Sequence, residues 1–333
     1  MEQAIKFAST KEGEKLMEEV KEYKLSKEIL QLIQEYENIG GERDIFLWKW
    51  LRYLTGSRDP GFMFSTVPKE YTSSVADVKT TLILFIALID DLADKYKNKQ
   101  LLKEEMKIPF NKSEISFGYI KNEKELNLLK FTMSVWDYVE STLKTYPNYQ
   151  EFRDIFEFDV KQMLNSVYHS CIVNTNLSSI NLMEANIYGG HNMAIFLCAD
   201  IDFMASPTFD KSELPWMREI IWNAQQMARI GNWISTWERE LWENDFSSGM
   251  FAYSIINDII TINELSSKDE TKKMEVIKKI KNSNVESYFL KEWKKDYEAI
   301  TNLKSKVNSL DVDSYLKGLE QILKFHLASR GLK

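Results

Sequence analysis

Leu82-Ile-Leu-Phe85-Ile-Ala-Leu-Ile-Asp90-Asp91-Leu-Ala-Asp94-Lys95 is the stretch on which the fold turns. An apolar run, Leu82–Ile89, passes without a Gly or Pro straight into three carboxylates. It sits inside a longer segment, Ser74 to about Lys97, that is apolar for most of its length and charged at its end. Nothing in it alternates strictly enough for a half-buried strand, so it reads as a buried helix. Asp90 and Asp94 are four apart and share one helix face, while Asp91 lies about 100° round from Asp90. Acidic groups near a helix C-terminus oppose the macrodipole, so they are expected to meet something positive. Hard oxygen ligands in a row suit Mg²⁺, whose remaining ligands are waters and phosphate oxygens. The bland alternative is a core helix emerging into solvent, and the motif alone does not choose between them.

The rest of the chain agrees with long helices. Of 333 residues only 12 are Gly and 6 are Pro, about 5% together against roughly 12% in an ordinary chain. Sheets need more turns than this allows. Apolar residues make up 44% and aromatics 13%, enough for a sizeable core. Periods of three to four predict helices over Leu25–Ile39, Asp44–Leu54, Glu123–Thr145, Asn148–Val173, Asn181–Tyr188 and His191–Met204. They continue over Leu214–Trp242, Phe251–Asn263, Lys272–Ser283, Val285–Val307 and Ser314–Ala328. The expected class is an all-α helix bundle. No linker or internal repeat divides it, so one domain is the simplest organisation.

The formal charge is −7. The basic clusters at Lys95–Lys99 and Lys278–Lys281 are short and mixed, which argues against nucleic acid as a partner. Cys171 and Cys198 read as small buried hydrophobes rather than a disulfide framework. The first residues are too charged for a secretory signal, and Leu82–Ile89 is far short of a membrane span. A soluble, cytoplasmic protein is the expectation.

A second stretch carries chemistry: Asn232-Trp-Ile-Ser-Thr236-Trp-Glu-Arg239-Glu240. Asn232, Thr236 and Glu240, four and four apart, lie on one face over about 12 Å of helix. An amide oxygen, a hydroxyl and a carboxylate in one stripe suit a further divalent cation. Trp222, Trp233, Trp237 and Trp242 surround the stripe, so its helix is expected to be buried on most sides, and a buried polar stripe needs partners.

Together the two stretches resemble the aspartate-rich motif and the N-x-x-x-S/T-x-x-x-E motif of class I terpene synthases, at the separation usual in the bacterial single-domain type. The resemblance covers roughly residues 40 to 330. It implies an antiparallel bundle of the isoprenoid synthase type with a central active-site cavity. The whole chain, 1–333, would be one such domain, with peripheral helices over 1–40 and the catalytic bundle over 41–330. It implies Asp90, Asp94, Asn232, Thr236 and Glu240 as ligands of Mg²⁺, three ions in all, with Asp91 as an orienting helper. Arg239 matches a basic residue that contacts diphosphate. Arg330 stands where the family carries an Arg-Tyr pair, but residue 331 is Gly. The family's diphosphate-sensing Arg is replaced by Asn186, for which Arg229, or donors on His191 and Asn192, would compensate. Gly189-Gly190 falls where the family breaks a helix and offers a backbone carbonyl to the substrate.

The implied activity is Mg²⁺-dependent ionisation and cyclisation of a linear prenyl diphosphate, farnesyl or geranylgeranyl, to a terpene. Phe85, Trp48, Tyr53, Tyr188, Trp233 and Trp237 are candidate walls for the cation by cation–π contact, although for each one taken singly core packing is the better reading. A homodimer is compatible with the resemblance. A chain-elongating prenyl diphosphate synthase is the nearest rival, and the second DDxxD it normally carries is missing. A di-iron bundle fails because no His follows a Glu by three, and no nucleophile motif is present. A helical interaction module on the same fold is the non-enzyme alternative.

Overall fold

The computed structural model describes residues 11–57, 61–93, 98–328 and 330. Asp94, Gly331 and the basic residues at 95 and 97 lie outside the described residues. Among the described residues the structure is all-α, with no β-strand. The first helices are α1 (Lys11–Glu22), α2 (Lys27–Asn38), α3 (Ile45–Gly56), α4 (Thr72–Asp91) and α5 (Lys99–Glu105). Then come α6 (Glu123–Leu143), α7 (Tyr149–Thr175), α8 (Leu182–His191), α9 (Ile195–Ala205) and α10 (Leu214–Glu243). The last are α11 (Gly249–Ile256), α12 (Ile262–Leu265), α13 (Glu270–Lys281), α14 (Val285–Leu303) and α15 (Val312–Ala328).

Local chemistry sets many of these boundaries. Asp44, Asn122, Asn181 and Ser248 each accept a backbone N–H in the first turn of α3, α6, α8 and α11. Pro215 occupies the first turn of α10, where its missing N–H leaves nothing unpaired. The segment expected as one helix over Phe251–Asn263 is two. Asp258 turns the chain at φ 56°, and Thr261 and Glu264 form a capping box that starts α12 afresh.

α4 is the central helix and packs on α3, α6 and α9. Val75, Val78, Leu82, Phe85, Leu88 and Ile89 are buried along it, and full burial of one such side chain is worth about 1.5–3 kcal/mol. By length and composition Lys69–Asp91 could cross a bilayer, yet 72% of its most apolar window is buried inside the fold, as in a core helix. α10 is the longest helix and packs on α8, α9, α14 and α15. Its first half, Met217–Ala228, belongs to the large core around α4. Its second half, Ile230–Leu241, belongs to a second core with α11, α13 and α14.

Candidate functional site

The two polar stretches lie at the C-terminal end of α4 and on the second half of α10. Asp91 is buried and Asp90 keeps 28% of its side chain exposed. Both are met by residues that no motif marked. Arg43, on the turn between α2 and α3, places Nη2 3.1 Å from Asp90 Oδ2 and 3.3 Å from Asp91 Oδ1. Tyr36, on α2, donates its hydroxyl to Asp91 Oδ2 at 2.7 Å. Desolvation holds the Asp90 carboxyl above the usual carboxylate range; Arg43 opposes this, and the charges of Asp91 and Asp245 add to it. Burial disfavours the charge on Arg43, but Asp91 and Asp90 more than offset it.

On α10 the stripe is internally bonded. Thr236 Oγ1 donates to Glu240 Oε1 at 2.7 Å and also lies 2.8 Å from the Asn232 carbonyl. Arg229 Nη1 donates to Asn232 Oδ1 at 3.1 Å, and its guanidinium lies 5.0 Å over the Trp233 ring. Glu240 Oε2 and Arg229 Nε are buried with no hydrogen-bond partner among the described residues. Desolvation first, and then Asp245, push the Glu240 carboxyl up to about 7, against Arg229, Thr236 and Arg239. Burial lowers the Arg229 guanidinium, while Glu240, Asp245 and Asp90 pull it back up.

The acidic end of α4 and the α10 stripe are near enough to interact: Arg229 feels the charges of Glu240, Asp245 and Asp90, and Asp90 feels that of Asp245. Asp245 lies just past α10. Asn244 ends that helix at φ 60°, and the Asp245 N–H returns to the Glu240 carbonyl at 2.9 Å. Asn174 Nδ2 and the Ser247 N–H then hold Asp245 Oδ1 at 2.9 and 3.0 Å. Its only signal in sequence is a polar Asn-Asp pair after a long helix. Arg43 and Tyr36 carry no local signal, because their roles arise from a contact about fifty residues distant.

Other expected residues stand elsewhere. Arg239 is exposed and pairs with Glu243 at 3.2 Å, although it is near enough to lower Glu240. Arg330 binds Glu238 at 2.9 Å and Glu286 at 2.5 Å. Glu238 is six residues after Asn232, about 120° round α10 at 100° per residue, so Arg330 lies on another flank. A groove of about 350 Å³ opens there, lined by Glu238, Ile280, Lys281, Ser283, Glu286 and Arg330. Tyr188 is exposed and its ring lies 5.1 Å from that of His169, so it lines no interior wall. Phe85 and Trp233 are buried, against Trp136 and Phe289 respectively. The Asn186 carbonyl accepts from Gln226 Nε2 at 3.3 Å.

The expected helix break at Gly189-Gly190 comes later in the chain. Both glycines are helical within α8, and the chain turns at Asn192–Ala194, with Ala194 at φ 56°. The Gly190 carbonyl already accepts the Met193 N–H at 3.1 Å, so it is not an open electron-rich end. The glycines serve packing against α10 instead: a Cβ on Gly190 would lie 2.7 Å from Gln226 Nε2.

Among the described residues no group of three or more His, Cys, Asp and Glu side chains is arranged to hold a metal ion. The chain matches no family model and no curated protein.

Proposed function

We propose that this chain is a Mg²⁺-dependent terpene synthase that ionises and cyclises a C15 or C20 prenyl diphosphate. One observation carries the reading. An acidic helix end and a polar stripe, 142 positions apart between Asp90 and Asn232, come within electrostatic reach of one another. The buried, unpartnered Glu240 Oε2 fits a cation ligand, as does the all-oxygen donor set of Asp90, Asn232 and Thr236. Asp94 would join them. When bound, Mg²⁺ would neutralise the leaving diphosphate.

The chain's own residues supply the rest. Arg229 has a buried donor without an acceptor, beside the stripe, and would hydrogen-bond a diphosphate oxygen. Arg239, at the exposed edge, would meet the anion from solvent. The Trp233 ring, buried beneath Arg229, would hold that guanidinium in place by cation–π contact. Apolar packing around Phe85 and Trp136 would help keep water from a developing carbocation. The isoprenoid-synthase architecture and its central cavity belong to this same proposal, as does the cytoplasmic location.

Incubation with C10, C15, C20 and C25 diphosphates and Mg²⁺, with and without isopentenyl diphosphate, tests it by gas chromatography and mass spectrometry. Cyclic product from one allylic diphosphate alone is expected. Chain-elongated diphosphate only, or no diphosphate release from any of the four, overturns it.

A further inference from the structure

The acidic end of α4 is held by an arginine that neither polar motif contains. Arg43 sits on the turn of residues 39–44, between two helices with defined ends. Gly40 adopts φ +94° and the Gly41 N–H closes on the Tyr36 carbonyl at 2.9 Å, which ends α2. Asp44 caps α3. Arg43 is thus tethered to a turn rather than to the body of a helix, and 31% of its side chain stays exposed.

Its hydrogen bonding is incomplete. A guanidinium has five N–H donors in a fixed fork. Among the described residues Nη2 alone serves both Asp90, at 3.1 Å, and Asp91, at 3.3 Å, and Nε is buried without a partner. The two-pronged pairing that makes Arg–carboxylate contacts strong is not formed. Arg229 differs: it lies on α10 itself, 6% exposed, fixed by Asn232 and by the Trp233 ring. Of the two arginines, Arg43 is the one free to change partners.

We propose that Arg43 is a diphosphate-binding residue that exchanges partners: counter-ion to Asp90 and Asp91 in the empty site, and contact for the anion once a divalent cation takes those carboxylates. This rests on the reading under Proposed function. A cation arriving at Asp90 repels a guanidinium 3.1 Å away, and an incoming anion offers that guanidinium the geometry its unused donors fit. The exchange supplies an arginine to a site whose expected sensor position holds Asn186.

The test uses the full chain and two probes. Mn²⁺ alone is titrated by electron paramagnetic resonance, and inorganic pyrophosphate in saturating Mg²⁺ by calorimetry. For Arg43→Gln, Mn²⁺ is expected to bind about tenfold more tightly and pyrophosphate about tenfold more weakly, the size of one charge-assisted hydrogen bond. A purely structural role would weaken both. Arg43→Lys keeps the charge without the fork and shifts pyrophosphate the same way by less; it decides the matter if Arg43→Gln does not fold. Unchanged or co-directional shifts overturn the exchange, provided Asp90→Asn abolishes the wild-type binding. If the wild type binds neither probe, or Asp90→Asn binds both as the wild type does, the functional reading falls and the exchange with it.

Discussion

The middle of α4 and its C-terminal end both join a carboxylate to a cation, and they do it in opposite ways. In the middle, Lys79 pairs with Asp202 of α9 at 2.7 Å, with side chains 0% and 1% exposed. Asp202 also accepts the Phe64 N–H at 3.1 Å. Both partners are rooted in helix bodies, and neither has solvent to turn to. At the far end the carboxylates are on the helix, the cation is on a turn, and Asp90 and Arg43 remain 28% and 31% exposed. A pair in which both groups are dry and helix-bound holds the bundle together. A pair in which one group is tethered loosely, with a donor to spare, can be displaced by a ligand.

The largest effect is expected from unpairing each site in turn. Asp202→Asn leaves the Lys79 ammonium buried without its counter-charge, and the expected loss is about 3–5 kcal/mol. Arg43→Gln at the other end is expected to cost about 1 kcal/mol or less, because its pair is partly solvated. Urea denaturation of the two variants checks both. Equal losses would mean that the site end is as structural as the core end.

Activity should follow the opposite order. Asp90→Asn is expected to lower terpene formation by at least about 100-fold, the scale of losing one charge-stabilising group in a site, with its unfolding midpoint close to the wild type's. Product assays beside thermal denaturation give the two numbers. Wild-type turnover in Asp90→Asn would place the α4 end with the inert surface carboxylates.

Periodicity marks helices best where a helix is long. Leu82–Ile89 and Leu214–Trp242 hold their pattern over many turns, and the structure has α4 and α10 there. The seven residues of α5 are too few to show a period. The break after α8 falls beyond Gly189-Gly190, because two adjacent glycines permit a break or a close approach, and only the neighbouring helix decides which. The Asn232–Thr236–Glu240 stripe was legible because its spacing is local. Arg43, Tyr36 and Asp245 were not, since a turn residue acquires its role from whatever the fold brings opposite it.

A carboxylate can also be neutralised by a retained proton. Glu105 of α5 is 0% exposed and, among the described residues, has no cation beside it and accepts only from Thr132 Oγ1, at 3.5 Å. Burial pushes its carboxyl from 4.5 up to about 8, slightly opposed by Thr132. The raised value means that the folded state holds a proton the unfolded state has released. That contribution to stability is complete below 4.5 and is lost as pH rises through about 8. Within this window the slope is up to about −1.4 kcal/mol per pH unit. Glu105→Gln should flatten it, as read from urea melts across that range; an unchanged slope would show that another group carries it.

The two helices that press on α10 beside the stripe are expected to differ as well. At Gly249, where α11 begins, a Cβ would lie 2.5–2.9 Å from three atoms of the Trp233 ring. That ring is 1% exposed and is held by Phe289 and Arg229, so it cannot swing away. Gly249→Ala should therefore cost about 1–3 kcal/mol and, by tilting Trp233, disturb the arginine above it. At Gly190 the Cβ would meet Gln226 Nε2 at 2.7 Å, the far end of a flexible side chain. Gly190→Ala also gains about 0.5–1 kcal/mol of helix preference, and the two terms should nearly cancel. Thermal melts of the two variants measure the difference directly. If Gly190→Ala proved the more damaging, α8 rather than α11 would be the rigid support of the stripe, and Trp233 would be free to follow a ligand.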